Sequence, residues 1–296
     1  MKGLLLGLLV TAMRASPDFA GAAHAHEWLL NGAAADACEL AATGSTTELS
    51  GAQLTVSCAG TANVSGNVIA KITAKNLHQH RITLTADVQQ RDGMSSTLWL
   101  KTSHDTQTLL FDSDAERALL QADDVSNKAH TETWVQRSIS LPVAPDATNV
   151  SFGMLLQGKG ALVLRNVRLT VSSDGPIATE AQQVLDSALA IIKHHTVLRS
   201  DIDWRVLEPQ ARQFAAGATC TADVYPVIRY VLSQLGDRHG LLLTPALSSS
   251  LSQRHATSST AAAQLGITVF TLPDGADLVL SAIAPEIDAR IAKRWP

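Results

Sequence analysis

Hydrophobic and polar residues alternate with a period of two along much of the first half of the chain, from about residue 49 to residue 171. The clearest runs lie at residues 82–88, 138–141, 150–154 and 162–164, and Gly, Asn, Asp and Pro separate them. Repeated short strands with one apolar face predict two sheets packed face to face. After Asn166 the alternation shifts by one position, which indicates a β-bulge. We therefore predict an all-β sandwich over residues 36–172.

The period changes to that of a helix after the boundary at residues 172–176, SSDGP. A first stripe includes Ala181, Val184, Leu185, Ala188 and Ile192. A second helix begins at Ser200 or Asp201, and a third begins after Thr221 and ends at Gly236. Three short amphipathic helices predict a small three-helix bundle over residues 176–245 that depends on a neighbour for part of its buried surface.

The last sixth of the chain is predicted to begin with a segment that forms little core. Residues 246–264 are rich in Ser, Thr and Ala and are interpreted as a mobile linker. Two β-rich runs then flank Pro273-Asp274-Gly275, which is typical of a hairpin turn. A short helix is predicted to follow, with Ile287 and Ile291 inward. The fold class is thus multidomain: a sandwich, a helical bundle, and a hairpin segment over residues 265–296.

The N-terminus has the pattern of an export signal. Lys2 precedes an apolar run over residues 3–13, and Ala23-His24-Ala25 is a candidate cleavage site. The run is too short for a permanent anchor. Residues 1–25 therefore predict a periplasmic or secreted protein with no membrane attachment after cleavage. The alternative is a buried N-terminal helix.

Composition and charge narrow the range of partners. The net charge is −4 and no run of Lys or Arg occurs, which argues against nucleic acid as a partner. No motif in the sequence indicates a cofactor, and we predict none. His78 and His80 are the one candidate metal pair, but no acid or Cys completes a ligand set beside them. We expect them in a solvated turn, and we predict no metal site.

Of the three cysteines, Cys38 and Cys58 lie close in sequence at the front of the predicted sandwich. Export permits a disulfide, and closing so short a loop stabilises a fold by about 3 kcal/mol in the chain-entropy model. We predict a Cys38–Cys58 bridge, with three unpaired buried thiols as the alternative. Cys220 has no partner and is interpreted as a packing residue.

Residues 201–245 carry a resemblance to a known family. The segment begins DIDW, continues through an amphipathic helix, and reaches Leu235-Gly236-Asp237 and His239 before an apolar strand. This order resembles the helical front domain of the tail-specific, or C-terminal-processing, serine peptidases. Gly240 stands where that family usually has Ser.

The resemblance implies a role for two residues. His239 would be a general base, and Asp237 would orient it or fix the turn. The alternative is a turn His whose ring is satisfied by the backbone. The family's nucleophile and oxyanion-hole glycines would lie in a catalytic domain beyond residue 296, so we expect the 296-residue chain to be inactive alone.

A second resemblance concerns the segment FGMLLQGKGALVLRNVRLTV, residues 152–171. It is similar to the last strand pair of jelly-roll modules of the carbohydrate-binding type. The resemblance implies a possible glycan ligand, for which Trp99 and Trp134 would form a stacking pair. The alternative is that both rings pack in the core.

Two functions follow. The first is the N-terminal portion of an exported serine peptidase that acts on protein or peptide substrates. The alternative is an exported glycan- or peptide-binding protein without catalytic activity.

Overall fold

The structure is a computed structural model that describes residues 28–43, 53–58, 64–115, 133–172, 175–196, 202–236, 240–245, 247–249 and 267–281. The predicted signal, Asp237, His239 and the predicted C-terminal helix lie outside these residues. Ten described strands build the sandwich: β1 Leu29–Gly32, β2 Glu39–Thr43, β3 Gln53–Cys58, β4 Val64–Thr73, β5 Arg81–Arg91, β6 Ser95–His104, β7 Gln107–Ser113, β8 Val135–Pro142, β9 Asn149–Gly158 and β10 Gly160–Ser172. A single helical turn, α1 (Ala34–Ala37), joins β1 to β2.

The strands form two five-stranded antiparallel sheets, in the orders β1-β4-β9-β6-β7 and β2-β3-β10-β5-β8. From β3 to β10, successive strands change sheets at every step except β6 to β7, which pair as a hairpin, and the first strand, β3, pairs with the last, β10. This order is that of a jelly roll built from two Greek keys. The predicted jelly-roll sandwich is therefore confirmed.

The sandwich begins earlier than the predicted residue 36. β1 pairs with β4 in the register Leu29 with Ile69 and Gly32 with Gly66. A Cβ atom on Gly66 would lie 2.6 Å from the Ala34 Cβ, so only glycine allows α1 to pack against β4. The extra strand was missed because residues 28–32 are too few to show alternation.

The inward positions of both sheets form one apolar core. Leu84, Phe152 and Met154 are fully buried, at the phase that alternation predicts. The register between β10 and β5 shifts between Arg165 and Arg168, and Asn166 has a φ of 52°. Asn tolerates this left-handed conformation better than most residues, so the predicted bulge forms at the expected position.

Three longer helices follow the sandwich: α2 Thr179–His195, α3 Trp204–Phe214 and α4 Tyr225–Gln234, with a 3₁₀ turn at Thr221–Val224 before α4. The Asp203 carboxylate caps α3 by accepting from the Arg205 N–H. Gly236, with a φ of 73°, lies just beyond α4. The apolar residues of these helices continue the core of the sandwich without a break. Among the described helices, none is long and apolar enough to cross a membrane.

A third sheet holds β11 (Leu241–Leu243), β12 (Ile267–Thr271) and β13 (Asp277–Ser281) in the order β11-β13-β12. β12 and β13 form the predicted hairpin, and Gly275 adopts a φ of 84° in its turn. The sequence did not predict that β11 pairs with β13. Part of the predicted linker is ordered: residues 247–249 are helical, and the Ser248 hydroxyl bonds the Asp277 carboxylate.

Candidate functional site

The outer side of the sheet β1-β4-β9-β6-β7 is here called the open face. Its side chains occupy the positions that alternate with the buried core residues of the same strands. The central cross-strand row holds Leu29, Ile69, Gly153, Trp99 and Ser113. One neighbouring row holds Asn31, Asn67, Leu155 and Thr97, and the other holds Lys71, Ser151, Lys101 and Phe111.

The open face exposes three large apolar side chains. Leu29, Leu155 and Phe111 are 51%, 41% and 39% exposed, and each lies at an outward position. Exposed apolar residues that gather on one face of a sheet, with polar residues around them, are typical of a binding surface. The polar surroundings here include Thr97, Asn67 and Lys101.

Trp99 lies near the middle of this face but is only 5% exposed. Its indole ring stacks on the Phe111 ring, with centroids 6.4 Å apart and planes at 25°. Trp99 thus supports Phe111, and Phe111 is the ring that solvent or a ligand can reach. The predicted role of Trp99 as a direct stacking platform does not fit this burial.

Two polar atoms on the open face are buried without a hydrogen-bond partner. They are Trp99 Nε1, a donor, and Asn67 Oδ1, an acceptor. Most buried polar atoms in folded proteins are paired, so this donor and this acceptor each have an unused hydrogen-bonding capacity on the same face.

Gly153 separates Ile69 from Trp99 in the central row, and it cannot carry a side chain. A Cβ atom there would lie 1.9 Å from the Val68 carbonyl oxygen. Ser151, one pair further along β9, is small and buried. The outer surface of β9, the middle strand, is therefore recessed at this point, between the outward side chains of β4 and β6.

The structure does not bring Trp134 to this site. Trp134 lies just before β8, and the Arg165 guanidinium is 3.9 Å above its ring. Arg165 belongs to β10 and also pairs with Asp87 of β5 at 3.4 Å, so this cluster lies on the other sheet. The predicted Trp99–Trp134 stacking pair is wrong, because alternation reveals the side of a strand but not the sheet to which the strand belongs.

The remaining predicted residues lie elsewhere. Cys38 and Cys58 are bonded, with sulfur atoms 2.02 Å apart. Cys220 is exposed rather than packed. His78 lies in the turn after β4, where its Nε2 is 2.8 Å from the Ala147 carbonyl oxygen. Within the described ranges, no group of three His, Cys, Asp or Glu residues could hold a metal ion.

Sequence reasoning missed Phe111 and Leu155, although the sequence contains the signal for both. In β9 the inward phase is Val150, Phe152, Met154 and Leu156, so Leu155 falls on the outward, polar phase. In β7, Leu110 is inward and Phe111 is therefore outward. A large apolar residue on the polar phase of a strand is the feature that marks the open face.

No protein-family model matches the chain, and no curated protein matches it. The resemblance of residues 201–245 to serine peptidases therefore receives no support from known families.

Solved structures similar to about half of this chain include several carbohydrate-binding modules. One is the CBM22-1–GH10 part of the Clostridium thermocellum xylanase Xyn10B, with 12% identity and a TM-score of 0.33, covering 52% of this chain and 28% of that one. Another is the C-terminal family 22 module of the same enzyme, with 13% identity and a TM-score of 0.33, covering 53% and 98%. A putative sugar-binding protein from Bacteroides thetaiotaomicron has 13% identity and a TM-score of 0.30, covering 49% and 88%. Similarities at this level assign neither a ligand nor an activity to this chain.

Proposed function

We propose that this protein binds a glycan on the open face of its jelly roll and has no catalytic role there. The observation that carries the proposal is the exposed Phe111 ring stacked on Trp99, whose Nε1 has no hydrogen-bond partner. A second unpartnered atom, Asn67 Oδ1, lies on β4 of the same face. A sugar offers both an apolar ring face and hydroxyl groups that donate and accept hydrogen bonds. It therefore complements a surface that combines an exposed aromatic ring with a donor and an acceptor that the described residues do not pair.

The form of the face favours a polymer over a single sugar. Five strands at about 4.8 Å spacing give a surface about 19 Å across. Leu29 stands at one edge of the central row, and Phe111 stands on the strand at the opposite edge. The surface between them is recessed at Gly153 and Ser151. A polysaccharide chain can therefore cross the sheet from β1 to β7.

The proposal is tested by binding measurements with purified protein and a panel of soluble polysaccharides. Xylan and xylohexaose are suitable first members, since the similar structures include a xylan-binding domain and a complex with xylohexaose. Phe111→Ala should weaken binding about tenfold or more, which is about 1.4 kcal/mol. Trp99→Phe keeps a ring beneath Phe111 but removes the Nε1 donor, and should also weaken binding.

The matched control is Val135→Ala. Val135 is 42% exposed, comparable to Phe111, but it lies on β8 in the other sheet. Its substitution should leave affinity unchanged. Equal loss in Val135→Ala and Phe111→Ala, or binding that none of the three variants changes, would place the site away from the open face.

A second candidate is the peptidase role implied by residues 201–245. The observation that favours it is β11, which follows the helices and pairs with β13, as expected for a strand that leads into a further β-containing domain. His239 would then serve as general base and Asp237 would orient it. Hydrolysis of a labelled unfolded protein that is abolished by His239→Ala, and retained by His78→Ala, would support this candidate. Hydrolysis that His239→Ala does not change would exclude His239 as the base.

A further inference from the structure

We infer that the glycan bound by the open face is acidic, a polysaccharide that carries carboxylates on separate sugar units. This inference rests on the proposed function and specifies its ligand. It comes from the charges of the face, which differ in sign from those of the whole chain. The chain has a net charge of −4.

The charged side chains on the described strands of the open face are Lys71 of β4 and Lys101 of β6. Both lie in one cross-strand row, with the small, buried Ser151 of β9 between them. No Asp or Glu occupies an outward position on the described strands of this sheet. The open face is therefore locally positive.

The two lysines have no acidic partner among the described residues. The described ion pairs engage Arg137, Arg165, Lys193, Arg205 and Arg212, together with His104, and do not include Lys71 or Lys101. An ammonium group without an internal partner is available to a ligand. Each lysine stem can also cover apolar surface while its charged end reaches outward.

The spacing of the lysines indicates the kind of anion. Lys71 and Lys101 lie two strands apart, so their backbones are separated by about 10 Å. Arg binds phosphate or carboxylate with two parallel hydrogen bonds. No Arg lies beside the two lysines on the described open face. Two separate point charges suit carboxylates distributed along a polymer.

The Phe111 ring lies next to Lys101 in the same row. The row that holds Lys71 and Lys101 therefore ends at Phe111, which stacks on Trp99. A polymer that contacts Phe111 with a sugar ring would bring a carboxylate of the same or the next unit close to Lys101.

The test compares polygalacturonate, its fully methyl-esterified form and neutral xylan as ligands of the full-length protein. We expect polygalacturonate to bind at least tenfold more tightly than its ester. This preference should disappear in the double variant Lys71→Met/Lys101→Met. It should also shrink as salt rises from about 20 to about 300 mM, because the distance over which exposed charges interact falls to about 6 Å.

The control is Lys75→Met/Lys159→Met, which removes two exposed lysines from turns outside the face and should leave the preference intact. Equal affinity for the acid and the ester, unchanged by Lys71→Met/Lys101→Met, would overturn the inference and leave the glycan proposal standing. Binding to none of the polysaccharides would overturn both. Tighter binding of polyglutamate than of polygalacturonate would assign the lysines to an acidic peptide and overturn the inference.

Discussion

Arg81, the first residue of β5, donates a hydrogen bond of 2.9 Å from its guanidinium to the carbonyl oxygen of Phe214, the last residue of α3. The same side chain donates to the Ala216 carbonyl at 3.1 Å and to the Ser140 hydroxyl at 3.2 Å. Ser140 in turn donates to the Asp223 carboxylate at 2.9 Å. A cation from the sandwich thus satisfies carbonyls at the C-terminal end of a helix, where the helix dipole favours positive charge.

We predict that Arg81→Met destabilises the sandwich and the helices together. Arg81 is 3% exposed, so its loss leaves the Phe214 and Ala216 carbonyl oxygens short of donors at a buried junction. The expected loss is about 3 kcal/mol in the free energy of unfolding, measured by urea denaturation. Arg168→Met, at an exposed position of β10, should change stability by less than about 0.5 kcal/mol. Two separate transitions in the wild-type protein would show that the Arg81 junction does not couple the two parts.

Gly153→Ala should prevent stable folding of the sandwich. The added Cβ would lie 1.9 Å from the backbone oxygen of Val68, and backbone on the next strand cannot move aside without breaking the β4–β9 ladder. We expect a loss of more than about 3 kcal/mol. Ser151→Ala, two residues earlier on the same strand, should remain near wild-type stability. A Gly153→Ala protein with an unchanged melting temperature would contradict the packing described for β4 and β9.

We predict one alkylatable thiol in the native protein. Glu39 pairs with Ser57, which puts Cys38 and Cys58 opposite one another at the end of the β2–β3 pair. Their bond closes a loop with a sequence separation of 20. Cys38→Ala/Cys58→Ala should lower stability by about 3 kcal/mol. The control is Cys220→Ser, which should change little because Cys220 is exposed and unbonded to sulfur. Labelling of three thiols without denaturant, read by mass spectrometry, would exclude the bridge.

The two tyrosines should resist ionisation until the protein unfolds. Burial raises the pKa of Tyr225 and of Tyr230, and the Tyr225 hydroxyl also donates to the Asp274 carboxylate at 2.6 Å. A folded pKa above the unfolded value, about 10, stabilises the protein below that pH, and the stabilisation is lost as pH rises further. Because the chain has only these two tyrosines, tyrosinate absorbance should rise together with loss of circular dichroism.

Tyr225→Phe serves as the control for this titration. It should remove half of the tyrosinate signal and move the alkaline unfolding transition to higher pH, because the group that must ionise is gone. Tyrosinate absorbance that develops near pH 10 while the protein stays folded would contradict the burial of both hydroxyls.

Local patterns in the sequence predicted the elements well, because each depends on neighbours along the chain. Alternation over residues 82–88 marks the core phase of β5, and the phase shift after Asn166 marks the bulge of β10. The stripe that includes Val184 and Leu185 marks the buried side of α2. The position of β11 in the third sheet could not be predicted, since three residues show no period and their partner β13 lies more than 30 residues away.

The open face was beyond sequence reasoning for a different reason. Trp99 and Trp134 look alike in sequence, as single aromatic residues among strand residues, yet they lie on different sheets. Assigning them requires knowledge of the strand order, which depends on pairings between distant segments. The same holds for Arg81, whose partners in α3 are more than 130 residues away.

The pairing of β3 with β10 also affects how quickly the protein reaches its native state. Leu54 must meet Leu164 to complete the second sheet, although 110 residues separate them in the sequence. Folds dominated by such distant pairings reach the native state slowly, in milliseconds to seconds, because the entropy of closing a long loop is lost before the contacts form. During synthesis β3 can pair with β2 on one edge, but its other edge meets β10 only after nearly 60% of the chain has been made. The early strands therefore keep an unpaired edge, accessible to chaperones, over that time.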